Sequence, residues 1–268
     1  MKISTYLSQL KAIHNIEGLS FEEIAKICLE NGIEYIDVEY QELSEKGKPV
    51  VDIFIKNGLK ISSMVYRADF LHNNDISDCL NALKTAKEFD ITNILLVPGF
   101  WNEEDNMEEF LENSLKPMKQ VIESAKELGI NIGFEDYDAE TPVATSDGIL
   151  YYLENLEGSH CIFDTANFLY MNEDVMTAFS KLKPYIKHQI HCKDKALTPK
   201  GEQSPSVSKS GDKTFATAVG SGFLPIEHII KELKSNGFDG ILTIELFGSK
   251  QYLKDLLESV ISIKEIIK

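Results

Sequence analysis

Four side chains with metal-ligand chemistry each close a short apolar run in the second half of the chain. The runs Asn131-Ile-Gly-Phe-Glu135 and Ile241-Leu-Thr-Ile-Glu245 end in glutamate, and His160-Cys-Ile-Phe-Asp164 ends in aspartate. Ile186-Lys-His-Gln-Ile-His191 ends in histidine. One such ending often marks only the point where a strand meets water. Two Glu, one Asp and one His at four successive strand ends form a ligand set for a divalent ion. An oxygen-rich set with one imidazole favours Mn²⁺ or Mg²⁺, with Zn²⁺ and Co²⁺ as alternatives. An ion held there can act as a Lewis acid, polarising a carbonyl oxygen bound to it.

These residues act together only if the fold brings the strand ends to one point. The chain alternates strands and helices with no break in composition. Strands are expected at 2–7, 33–40, 60–66, 91–97, 130–135, 161–164, 186–191 and 241–245. Helices are expected after Ser20, whose Ser20-Phe-Glu-Glu23 reads as a capping box, near 49–56, and at 75–89, 107–128, 146–156, 174–182, 225–236 and 251–267. Eight strands interleaved with helices are the count of a (β/α)8 TIM barrel of the α/β class, one domain over 1–268. A doubly wound sheet is the structural alternative, but it would spread four consecutive strand ends along an edge, whereas a barrel gathers them at its mouth. The polar stretch at about 194–223 reads as a long, structureless βα7 loop over the active site. Side chains two apart share a strand face, so Gly133, Ile162 and Thr243 should line the interior beneath the ligands. His188, three residues before His191, should face the helices.

Composition narrows the class. The 268 residues carry a formal net charge of −16, which opposes nucleic-acid binding. Cys28, Cys79, Cys161 and Cys192 show no paired spacing and read as reduced thiols of a cytoplasmic protein. No signal-peptide core or membrane span is evident. The Glu-rich run from Glu103 to Glu112 reads as a solvated helix face.

Three phrases carry a family resemblance: Ile-His-Cys-Lys-Asp (190–194), Val-Gly-Ser-Gly (219–222) and Gly-Phe-Asp-Gly-Ile-Leu-Thr-Ile-Glu (237–245). They resemble the xylose isomerase-like TIM-barrel superfamily, and within it the sugar phosphate isomerases/epimerases and ketose 3-epimerases. The resemblance implies one divalent ion held by Glu135, Asp164, His191 and Glu245. It also implies that Glu135 and Glu245 move the proton between two faces, or two carbons, of a sugar or sugar phosphate. Two positions depart from the pattern. Asn167 stands three residues after Asp164, where these epimerases often have histidine. An arginine common in the seventh βα loop is absent; the chain's one arginine is Arg67, at the end of strand three, and Lys193 or Lys213 could substitute as point charges.

Asn167, Lys193 and Asp194 are accordingly expected at the substrate. Arg67 either grips a phosphate or carboxylate with its planar fork or braces a loop. Trp101 either walls a sugar face or packs its own loop, and Glu39 either bonds a hydroxyl or ends its strand in solvent. An inosose-type dehydratase would use the same ligands on the same barrel. A non-catalytic sugar-binding protein would need no Lewis acid, and a DNA-repair endonuclease would need more histidines at strand ends. The sugar, its phosphorylation and any homo-oligomer are not legible.

Overall fold

The computed structural model describes every residue except Glu103. Its eight barrel strands are β1 (Lys2–Tyr6), β2 (Ile33–Glu39), β3 (Lys60–Arg67), β4 (Asn93–Val97), β5 (Asn131–Phe134), β6 (His160–Asp164), β7 (Ile186–Ala196) and, after a hairpin, β10 (Ile241–Glu245). They pair in parallel in chain order, and β10 bonds both β7 and β1. That double pairing closes the ring, so the barrel and not the open sheet is the architecture.

Nine helices pack outside among the described residues: α1 (Leu7–Glu17), α2 (Phe21–Glu30), α3 (Lys48–Lys56), α4 (Ser77–Glu88), α5 (Met107–Leu128), α6 (Ser146–Asn155), α7 (Val175–Leu182), α8 (Ile226–Ser235) and α9 (Tyr252–Ile267). Their local logic follows the sequence. Ser20 and Glu23 form the reciprocal capping box of α2. In α8, Ile226, Ile229, Ile230 and Leu233 recur at helical spacing and are all buried. Each such burial is worth roughly 1.5–3 kcal/mol. Helix α5 ends where Gly129 turns left-handed at φ 73°.

Three expectations need correction. Helix α1 is absent from the sequence reading, because β1 runs straight into it: Tyr6 occupies the N-cap without a side-chain cap bond. The sequence offers Ser146 as the cap of the helix expected at 146–156; Thr145 caps α6 instead, accepting from Gly148 N at 3.2 Å, while the Ser146 hydroxyl bonds Glu173. The 194–223 stretch is not structureless. Strand β7 runs on to Ala196 because β9 (Lys213–Thr217) pairs antiparallel with residues 194–196, and β8 (Ser206–Val207) pairs with β9. The Glu-rich run lies partly on α5; Glu103 falls outside the described residues.

Two apolar cores result. The larger fills the space between strands and helices. A small one inside the barrel joins Tyr6, Val65, Leu95, Val97 and Ile162. Ile162 therefore points inward beneath Asp164, as the two-residue period requires. Gly133 has a packing reason: a Cβ there would meet His160 Nε2 and Ile162 Cγ1 at 2.7 Å each. His188 faces away from the mouth and sits edge-on to His160, with ring centroids 4.8 Å apart.

Candidate metal centre and substrate site

The mouth of the barrel brings the four candidate ligands together. Glu135 follows β5 directly, Asp164 and Glu245 end β6 and β10, and His191 lies within β7. One ligand atom from each falls within 4.8 Å of all the others, and all four side chains are buried. His191 Nδ1 contacts Glu135 Oε1 and lies 3.6 Å from Glu245 Oε2. Asp164 Oδ1 accepts from the backbone N–H groups of Ala166 (2.7 Å) and Asn167 (2.8 Å). Its Oδ2 is buried with no hydrogen-bond partner among the described residues. A desolvated carboxylate oxygen without a donor is costly. A divalent cation would satisfy it, and the donor set has the chemistry to hold one. The residues fit a metal.

Electrostatics point the same way. Burial pushes the Asp164 carboxyl up to about 7, with Glu245 and Glu135 adding repulsion against the relief from Lys193. Burial also raises Glu135, although His191 counteracts it. Burial works against a charged His191, yet Glu135, Asp37 and Glu245 together hold its imidazole well above the ordinary range. Three carboxylates in a dry cavity demand positive charge.

Part of that charge comes from Lys193. Its ammonium contacts Glu245 Oε1 and donates to Asn167 Oδ1 at 2.7 Å. Lys193 and Asn167 thus stand beside the ligand cluster. Tyr6 places its hydroxyl 3.5 Å from His191 Nδ1 and packs its ring on Phe247, centroids 5.4 Å apart. Lys193 also faces the Tyr170 ring at 5.8 Å, and Lys195 donates to the Tyr170 hydroxyl at 3.2 Å. Burial alone would raise that phenol; the two ammonium groups bring it below its usual value. Beside Tyr170, a cavity of about 520 Å³ opens between Asp138, Glu140, Met171, Ser208 and Lys209.

Other expected residues sit at the rim or in the frame. Arg67 places its guanidinium fork on Glu39 and reaches the Tyr137 hydroxyl as well. Both charges are therefore engaged with each other. Asp194 gives its oxygens to backbone amides: Gly220 and Gly222 at 2.9 Å, Lys195 at 2.8 Å and Leu224 at 3.4 Å. It holds the chain that leads into α8, and a Cβ on Gly222 would stand 2.0 Å from Asp194 Oδ1. Trp101 donates its backbone N–H to Glu140 O at 2.9 Å, tying the loop after β4 to the loop after β5. Cys192 is buried and free, like the other three thiols.

Several residues at the site carry no motif in the sequence. Asp136 follows Glu135, is fully buried and accepts from Asp164 N at 3.2 Å. Asp37 and Gln189 lie beneath His191, and Tyr137 lies beneath Arg67. Strand parity could have pointed to two of these. Gln189 is two residues before His191, and Asp37 is a charge inside the apolar run Ile36-Asp-Val38.

The Xylose isomerase-like TIM barrel family matches residues 20–265, and the chain belongs to that family. An uncharacterized protein of Methanocaldococcus jannaschii, MJ1311, is 23% identical over 198 residues, covering 68% of this chain and 62% of that relative. The match thus spans less than two thirds of the relative's length. Among solved structures, the probable 3-DHS dehydratase AsbF of Bacillus anthracis superposes with a TM-score of 0.72 at 18% identity, covering 99% of both chains. The D-psicose 3-epimerase of Clostridium cellulolyticum, solved with D-tagatose, gives 0.67 at 12% identity, covering 99% of this chain and 98% of that one. A xylose isomerase-like protein of Mycobacterium smegmatis in complex with magnesium gives 0.65 at 16% identity, covering 94% and 90%. At these identities the likeness establishes the fold.

Proposed function

We propose that this chain is a divalent-metal-dependent sugar or sugar-phosphate isomerase/epimerase that moves a proton through its paired glutamates. The observation that carries the reading is the convergence of Glu135 and Glu245 on one imidazole, with Asp164 in reach of both. When bound, a Mn²⁺- or Mg²⁺-type ion would supply Lewis-acid polarisation of the substrate carbonyl. The remaining work falls to the chain. Glu135, raised by burial, removes a proton from the carbon beside the carbonyl, and Glu245 returns one from the other side. Lys193 and Asn167 offer hydrogen-bond partners to substrate hydroxyls, and Tyr6 and Phe247 provide apolar surface next to them. Arg67, Glu39 and Trp101 act from the rim, where a hydroxyl or phosphate of a longer substrate would reach. The four buried free thiols suit a reducing compartment such as the cytoplasm.

Incubation of the metal-loaded protein with ketohexoses, their phosphates and inososes in D₂O, followed by proton NMR, tests the reading. It expects an epimer or isomer carrying solvent deuterium at the reacting carbon. Loss of water to give an unsaturated ketone would identify a dehydratase instead, the activity the AsbF likeness keeps in play.

A further inference from the structure

Beneath the ligand cluster, the barrel interior holds a carboxylate that belongs to no ion pair with Lys or Arg among the described residues. Asp37, on β2, is 1% exposed. Its Oδ1 accepts from Ser4 Oγ at 2.5 Å and from Ser62 Oγ; its Oδ2 accepts from Gln189 Nε2 and from Thr243 Oγ1 at 3.2 Å. These donors come from β1, β3, β7 and β10, so four strands hold one anion in place. The basic side chain within 4.0 Å of it is His191, whose Nε2 lies 3.6 Å from Asp37 Oδ2. That is a charge–charge spacing, longer than a hydrogen bond.

The imidazole is therefore polar at both ends. Nδ1 faces Glu135 and Glu245, and Nε2 faces Asp37. A neutral imidazole has one N–H, and a fixed anion at Nε2 favours the proton there. The lone pair then remains on Nδ1, directed into the cluster. Gln189 Nε2 lies nearer to His191 Nε2, at 3.3 Å, than Asp37 does, but an amide nitrogen has two hydrogens and both are engaged elsewhere. Its amide nitrogen serves Asp37 and Thr243, the latter at 2.7 Å. Exchanging its nitrogen and oxygen would set a carbonyl against the Asp37 carboxylate.

From this geometry we infer that Asp37 is a positioning residue: it fixes the His191 tautomer and ring orientation so that Nδ1 is the metal-binding nitrogen. The inference rests on the metal-dependent reading above. A partner on the far nitrogen of a ligating histidine typically accounts for a 10–100-fold difference in metal affinity.

Calorimetric titration of the metal-free protein with Mn²⁺, for wild type and Asp37→Asn, tests it together with thermal melting of both apoproteins. Asparagine keeps the size and some acceptors but removes the charge. The expected result is metal binding about 10–100-fold weaker, beyond any change in apoprotein melting temperature. Lower melting temperature with unchanged Mn²⁺ affinity would mean that Asp37 only packs the core, and would overturn the inference. If Asp37→Asn does not fold, long-range ¹H–¹⁵N spectra of the Zn²⁺-loaded wild type decide. A proton on Nε2 with zinc on Nδ1 supports the inference, and the reverse overturns it. Wild type that takes up no ion overturns the metal reading itself, which separates the two failures.

Discussion

Lys193 and Glu245 are register partners across the seam where β7 and β10 close the barrel, and their side chains pair inside the ligand cluster. The ammonium is therefore a built-in counter-charge for a carboxylate that a metal ion would also claim. Both side chains are almost fully buried, so removing one partner leaves an uncompensated charge, a loss of about 3–5 kcal/mol.

Lys193→Met should accordingly destabilise the metal-free protein by about that amount. Saturating Mn²⁺ should recover much of the loss, because the ion supplies the missing positive charge next to Glu245. Thermal melts of wild type and variant, with and without Mn²⁺, check this. Equal destabilisation in both conditions would contradict the pairing argument.

Glu135→Gln and Glu245→Gln should keep much of the metal affinity, since an amide oxygen still coordinates a hard cation. Neither amide can accept a proton from carbon. Activity should fall by about 10²–10⁴-fold, mainly in kcat. Asp164→Asn or His191→Ala should act differently, weakening metal binding so that added metal restores part of the rate. Steady-state kinetics over a metal series separate the two classes.

His160 gives a pH prediction. Burial holds its imidazole down to about 3, against 6.5 for the free side chain. Between those values the unfolded chain binds a proton that the folded chain refuses, so stability must fall as pH drops through this window. The slope from this group is about 1.4 kcal/mol per pH unit. The raised carboxyls of Asp164 and Glu135 oppose it in the metal-free protein. Comparison with His160→Gln isolates the histidine: the variant should lose less stability than wild type on going from pH 6.5 to pH 4. Identical denaturation profiles over that range would contradict the burial argument.

How far the sequence led depends on which constraint acted. The convergence of Glu135, Asp164, His191 and Glu245 was legible because strands expose every second residue and a strand end is a local property of the sequence. Helix α2 was legible because Ser20 and Glu23 write their cap into four residues. Helix α1 was not, since no capping side chain separates Tyr6 from Leu7. The extension of β7 through Ala196 depends on β9, about twenty residues later, and no local period encodes an antiparallel partner. The same holds for side-chain pairing. Arg67 read as either a substrate grip or a loop brace, and the structure sets its fork on Glu39 of the neighbouring strand. Asp194 read as a substrate contact, and in the structure its Oδ2 accepts from the amides of both Gly220 and Gly222, so it braces the loop. Asp37 stood out as a charge inside an apolar run, but its surroundings did not, because its four donors lie on four different strands.

The central claim is that Glu135, Asp164, His191 and Glu245 hold one divalent ion. Calorimetric titration of chelator-treated protein with Mn²⁺ tests it most directly, on wild type and on the Asp164→Asn/His191→Ala double variant. The account predicts one ion per chain for wild type and no saturable binding for the double variant. Wild type without saturable binding, or a double variant that binds as wild type does, would contradict it.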